Sequence, residues 1–395
     1  MPKYSLVTTG TGEIVLKLPV ATAKALDRLE HSHSSDFAVL AKAAGLEPTK
    51  SFIGVDLQDL PFGLSKSDLR GFNFSGANLR GTRLREAKLD ATTIVEGAKI
   101  DVADRRALVA RGFIKGRYPP KGCSEEAAAE MILDGQAPPP AWRPWIEKLD
   151  FSQKKIENLA PLAGFTALQT LWLGGTQVRD FAPLAALTNL QDLNLDFLPV
   201  RDLAPLAALT ALRKLGLART QVGDLAPLAA LTALQLLSLN DTQINDLAPL
   251  AALTALQVLS FRNTQVSDLA PLAALTALQI LVIDFTPVSD LTPLASLTAL
   301  RSLSFCDTQV SDLAPLAALT ALQTLTFDNT QVSDLAPLAA LTALKVLWCN
   351  NTLVSDLAPL AALPELKHVY VESESRRNAL AKTLGHGGNI VKESS

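Results

Sequence analysis

From about residue 146 onward, apolar and polar positions alternate in short, evenly spaced beats. Segments such as LQTLWLGGTQV (Leu168 to Val178) and LQTLTFDNTQV (Leu322 to Val332) show the two-residue period of a strand with one buried face. After each comes an Asp, a Pro-Leu pair and an Ala/Leu stretch whose proline discourages a full helix. The spacing does not drift. Asp180, Asp202, Asp224, Asp246, Asp268, Asp290, Asp312, Asp334 and Asp356 stand 22 residues apart, and Pro161 through Pro359 keep the same step. Such a period predicts a solenoid with one parallel strand per coil. Leu171 and Leu173 face inward, and Leu168, Val178, Leu184 and Leu187 close the core from the turn and the back.

Within each coil the fixed positions have structural duties. Asp180 precedes a short helical turn, where its carboxylate can accept backbone N–H groups. Pro183 suits an early position of that turn. Thr176 is expected to satisfy buried backbone groups between coils through its hydroxyl. These columns resemble internalin-type leucine-rich repeats over roughly residues 146–373, with Thr where that family favours Asn. The resemblance implies an α/β solenoid, a leucine-rich repeat horseshoe with a parallel sheet on its concave face and short helical turns on its convex face. The host-adhesion role of secreted internalins is not carried over, because MPKYSLVTTGTGEIVLKL reads as no secretory signal.

A second period, of five, precedes the solenoid at Leu69, Phe74, Leu79, Leu84, Leu89 and Ile94. SGANLRGTRLREAKLD (Ser75 to Asp90) resembles the pentapeptide-repeat family, which implies a four-sided right-handed β-helix fragment. Around these repeats the chain parses into five segments. Residues 1–54 read as a hairpin about TTGTGE followed by short helices, one capped by Ser35 and stopped by Gly45. Residues 55–101 hold the pentapeptides. Residues 102–145 form a helical linker and N-cap, with helices in VADRRALVAR and EEAAAEMILD and with Trp142 and Trp145 covering the first coil. The solenoid spans 146–373, and 374–395 supply a C-terminal cap helix, ending near Gly385, and a tail.

Charge and composition narrow the function. Residues 66–121 carry 13 Lys or Arg against 6 Asp or Glu, which argues against mimicry of DNA by this segment. Without interleaved aromatics it is not expected to bind nucleic acid. No run of about 18 apolar residues suggests a membrane span, and three cysteines (Cys123, Cys306, Cys349) make no disulfide framework. The expected setting is the cytoplasm, the alternative a secreted effector without a cleaved signal. Four histidines, His31 and His33 in a loop, His368 facing outward beside Tyr370, and His386 in a Gly-rich tail, assemble no metal site. TTGTGE lacks the Lys-Ser/Thr of a phosphate loop. No nucleophile–base set forms, so no enzyme, cofactor or metal is expected. Cys349 replaces a core Leu, and Cys306 faces outward.

The variation between copies falls on three outward columns. They run Asp150, Trp172, Asn194 to Tyr370; Ser152, Gly174, Asp196 to Glu372; and Gln153, Gly175, Phe197 to Ser373. Exposed positions drift freely in any repeat array, yet solubility does not select large apolar side chains there. Trp172, Phe197, Phe285, Trp348 and Tyr370, with Arg219, Asp241, Arg262, Asp307 and Asp328, make a candidate surface of apolar anchors around a mixed, net acidic centre. The expectation is a monomeric, non-catalytic scaffold that binds a protein or peptide partner there. Two other readings are an effector delivered into host cells and a regulatory subunit of a kinase, phosphatase or GTPase.

Overall fold

The computed structural model describes residues 5–8, 14–17, 57, 64, 67–90, 93–95, 98–111, 120–371 and 389–390. The chain divides at Ser124 into two compact units. That division falls within the 102–145 stretch.

In the first unit β1 (Ser5–Thr8) pairs antiparallel with β2 (Ile14–Lys17). The helices expected between β2 and residue 54, together with His31 and His33, lie outside the described residues. The pentapeptides wind around a core that includes Leu64, Leu69, Phe74, Leu79 and Leu84, with Phe72, Ala77 and Ala87 filling the remaining inward positions. Bridges Asp68–Lys88, Asn73–Ile94 and Asn78–Lys99 join successive coils in parallel. The register steps by one residue after Leu89. Ile94 is therefore 43% exposed and is not a core residue, while Val95 and Ile100 take the inward places. Where a strictly five-residue reading puts Ile94 inside, the coil has gained a residue.

Helix α1 (Val102–Ala110) carries a fully buried carboxylate. Asp104 accepts the backbone N–H groups of Leu84 and Arg85, at 2.8 and 3.0 Å, and the Arg85 guanidinium at 2.9 Å. These bonds satisfy donors at a corner where Arg83 has a left-handed backbone, φ 55°.

The second unit begins with α2 (Glu125–Leu133). Then come β3 (Lys148–Asp150), β4 (Thr170–Trp172), β5 (Asp192–Asn194), β6 (Lys214–Gly216), β7 (Leu236–Ser238) and β8 (Val258–Ser260). The series continues with β9 (Ile280–Val282), β10 (Ser302–Ser304), β11 (Thr324–Thr326), β12 (Val346–Trp348), β13 (His368–Tyr370) and β14 (Asn389–Ile390). All twelve form one sheet in chain order, every neighbouring pair parallel. The solenoid expected from the leucine spacing is present, with β14 as a strand the repeat did not announce. The C-terminal helix expected near 374–385, and His386, fall outside the described residues.

Each middle strand residue, from Leu149 to Val369, is buried, as are the repeating leucines behind the strands up to Leu363, while Leu353 in the last turn is 60% exposed and Leu366 is half-buried. Phe261, Phe305 and Phe327 replace Leu in one inward column, and Phe305 and Phe327 stack with centroids 5.6 Å apart. On the convex side the proline holds each coil to a 3-10 turn of three to five residues, as in Ala182–Ala186. The periodic Asp accepts the N–H two residues on, at 3.0 Å for Asp180 and 2.8 Å for Asp202 through Asp356. Asn158 does the same in the first coil.

The threonine column differs from expectation. Thr220, Thr242, Thr264, Thr286, Thr308, Thr330 and Thr352 donate to the carbonyl three residues earlier in their own coil, at 2.6 to 3.0 Å, and do not bridge coils. Each accepting carbonyl belongs to the residue just after its strand, Leu217 after β6 for example, whereas the last carbonyl of the strand itself, Gly216, accepts the Leu195 N–H of the preceding coil. At the open edge, Trp142 is buried, Trp145 is half-buried, and Glu125 of α2 accepts the Lys148 N–H at 3.0 Å.

Candidate functional site

Strand residues one and three, and the two positions after the next core residue, form the concave face. Its third column holds a uniform backbone conformation. Gln153, Gly175, Phe197, Arg219, Asp241, Asn263, Phe285, Asp307, Asn329 and Asn351 all have φ between 49° and 70°. That left-handed region is comfortable for Gly, Asn and Asp and costs other L-residues about 1–2 kcal/mol. Six of these ten positions are Gly, Asn or Asp, which explains much of the column without any ligand. The recurrence of those residues was the available sequence signal for the turn. Phe197 and Phe285 depart from it, and they are 54% and 45% exposed.

A cation covers each ring. The Arg219 guanidinium lies 5.1 Å from the Phe197 centroid, and that of Arg262 lies 4.8 Å from Phe285. Arg219 also meets Asp241 at 3.3 Å, and Asn263 donates to Asp241 at 2.7 Å. These bonds, the Asn263 one foremost, hold the Asp241 carboxyl below the ordinary carboxylate range. Beyond Phe285 the ladder resumes: Asn329 donates to Asp307 at 3.2 Å and Asn351 to Asn329 at 2.7 Å.

The second column alternates by coil. Asp196, Asn240, Asp284 and Asp328 each accept the backbone N–H of the next coil's equivalent residue, at 2.7, 2.8, 2.8 and 2.6 Å. Asp328 therefore serves the scaffold, and burial raises its carboxyl above the usual value. Cys306 sits between Asp284 and Asp328, and burial followed by those two charges pushes its thiol up to about 12.

The remaining sequence-selected residues form two separate corners. Trp172 donates through Nε1 to Asp192 at 3.2 Å, with the Lys148 ammonium 4.4 Å from its ring. At the other end Trp348 and Tyr370 stack. The structure thus groups Phe197 with Arg219 and Asp241, Arg262 with Phe285, and Trp348 with Tyr370, while Trp172 stands apart. A column that the L-x-L reading left out begins each strand. There Leu236, Val258 and Ile280 lie side by side and half-buried on β7 to β9, with Val282 beside them. The doublets LL, VL and IL at those strands were its signal.

Among the described residues, no three His, Cys, Asp or Glu side chains cluster as a metal site, and no helix is long and apolar enough to cross a membrane.

Residues 254–296 and 298–340 match the leucine-rich repeat family model, and residues 64–93 match that of the pentapeptide repeats. The chain thus carries leucine-rich repeats and a pentapeptide-repeat segment. Among solved structures it is similar to an internalin (inlF) from Listeria monocytogenes, at 24% identity over 95% of both chains and a TM-score of 0.58. An internalin C2 from the same organism is 36% identical over 51% of this chain and 92% of its own, with a TM-score of 0.49. A plant peptide hormone receptor, RGFR1, solved in complex with RGF2, matches at 16% identity over 59% of this chain and 45% of that one, with a TM-score of 0.50. No curated protein matches the chain.

Proposed function

We propose that the solenoid is a non-catalytic recognition scaffold whose concave face binds a protein or peptide partner. The observation that carries this reading is the pair of half-exposed phenylalanines, each in a backbone conformation unfavourable to it and each flanked by an arginine. Neither residue serves the core, and aromatic and arginine side chains of this kind concentrate binding energy at interfaces. The convex side, by contrast, repeats Asp, Ala, Pro and Leu almost unchanged. That a plant peptide hormone receptor of similar fold is solved in complex with RGF2 supports the reading.

The test is affinity capture from the native cell extract with wild-type protein and with Phe197→Ala, Phe285→Ala and Trp348→Ala. Each captured protein is then measured in purified form. The reading expects a partner whose affinity falls by about 2 kcal/mol or more for at least one variant, with Gln265→Ala silent. A partner indifferent to all three concave variants would overturn it.

A further inference from the structure

The two phenylalanine coils share one construction. Asp196-Phe197-Leu198-Pro199 and Asp284-Phe285-Thr286-Pro287 stand 88 residues, or four coils, apart. In both, the Asp ties the next coil's backbone and the Phe backbone is left-handed. The proline replaces a residue whose N–H bonds the preceding coil elsewhere, as Gln221 does to Val200 and Gln309 to Val288. Proline has no such donor and restricts the residue before it to extended conformations. The turn after each Phe is therefore stiffened from within the coil. Both covering arginines, Arg219 and Arg262, lie in the interval between the two rings.

We infer that the concave face binds an extended polypeptide segment bearing two apolar side chains six residues apart, one against Phe197 and one against Phe285, with a basic side chain about two residues beyond the second. This rests on the concave recognition reading above and specifies its ligand.

The spacing comes from the sheet. Four strand steps of ~4.8 Å separate the rings by roughly 19 Å, and an extended chain rises about 3.3 Å per residue. Six residues cover the distance, and the even step presents both side chains to one face. A helix would need on the order of 13 residues to span it. The intervening residues lie over the Arg219–Asp241–Asn263 ladder, which is polar and already hydrogen-bonded.

Charge fixes the basic end. From Asp196 to Asn263 the second and third columns hold two arginines and two aspartates. From Asp284 to Asn351 the same columns hold Asp284, Asp307 and Asp328 and no Lys or Arg. Their hydrogen-bond donors there are neutral: Ser304, Asn329, Asn350 and backbone N–H groups. Asp307 is one strand past Phe285, about one and a half residues of extended chain, and the second residue is the next one that faces the sheet.

Labelled 15-residue peptides in a Ser/Gln/Thr background test this against the full chain by fluorescence anisotropy. Two leucines are set at steps of six, five or three, with Lys or Glu two residues beyond the second, in both chain directions. The step-six Lys peptide in one direction should bind about tenfold or more tighter than the step-five and Glu peptides. Phe197→Asn and Phe285→Asn, whose side chain suits the left-handed backbone, should each remove that preference, and Asp307→Asn should remove the advantage of Lys over Glu. Equal binding at all steps, no peptide binding, or indifference to the Asn variants overturns the inference. If a captured partner still depends on the concave residues when the peptides fail, the spacing falls and the recognition surface stands.

Discussion

Tyr370 stacks on Trp348 with ring centroids 3.4 Å apart and planes within 6°, each ring on the last residue of its strand. The pair fastens β13 to β12 on the concave side, near the end of the sheet. Trp348→Ala should cost about 0.5–1.5 kcal/mol, the worth of an aromatic pair beyond its area. Trp348→Phe should recover most of it. Urea unfolding of the three proteins measures both, and an unchanged midpoint for Trp348→Ala would show that the stack contributes nothing to stability.

Stability and recognition should move in opposite directions at Phe285. Phe285→Asn relieves a backbone cost of about 1–2 kcal/mol and forfeits a cation–π contact with Arg262 of about 0.5–1 kcal/mol. The expected outcome is a protein equal in stability to wild type or up to about 1.5 kcal/mol more stable. Phe285→Val, β-branched at φ 56°, should instead lose on the order of 1–3 kcal/mol. If Asn destabilises as much as Val, the ring packs into the fold.

Thr264 is 1% exposed and gives its hydroxyl proton to Phe261, at 2.8 Å. Thr264→Val keeps the shape and leaves that carbonyl buried without its donor, at a cost of about 1–3 kcal/mol. Thr264→Ser should restore the bond and much of the stability. Chemical denaturation ranks the three, and parity of Val with wild type would remove the hydroxyl from the account of the coil.

Cys306 should resist thiol chemistry in the folded state. Its thiol is raised to about 12, chiefly by burial, so the native protein binds this proton to higher pH than the unfolded chain does. The group's contribution is therefore complete below the ordinary thiol value and declines as pH climbs from there toward about 12. Iodoacetamide at pH 8 should label Cys306 slowly in native protein and rapidly in urea. Cys306→Ala should flatten the loss of stability between pH 9 and pH 11. Rapid native labelling would contradict the half-buried, doubly acidic setting.

The scaffold was legible because its positions answer to burial. Leu171, Leu173 and Asp180 repeat since every coil poses the same packing and hydrogen-bonding problem. Two details escaped for want of a local signal. Thr264 could bond within its coil or across it, with nothing local to decide. Ile94 sits one residue beyond a register step that five-residue counting passes over. The candidate face is harder to read, because exposed side chains answer to backbone comfort and to ligand at once. Asn263 and Asp307 suit a left-handed turn whatever binds there, while Phe197 and Phe285 do not, and that contrast emerges only once φ is known. Leu236, Val258 and Ile280 were hidden by the stronger L-x-L beat beside them.

The bond from Lys148 to Glu125 has a bearing on how the chain finds its frame. Coils as alike as TQVSDLAPLAALTALQ and its copies are interchangeable partners, so two distant ones can close on each other and expel the turns between as a loop. Local contacts score such a slip almost as well as the correct pairing. Helix α2 matches only one coil, the first, because Glu125 accepts the Lys148 N–H of β3 and no repeat offers a second copy of that seat. Winding that starts there counts every later coil in order. The cap is thus the zero mark of a ruler whose divisions are otherwise unnumbered.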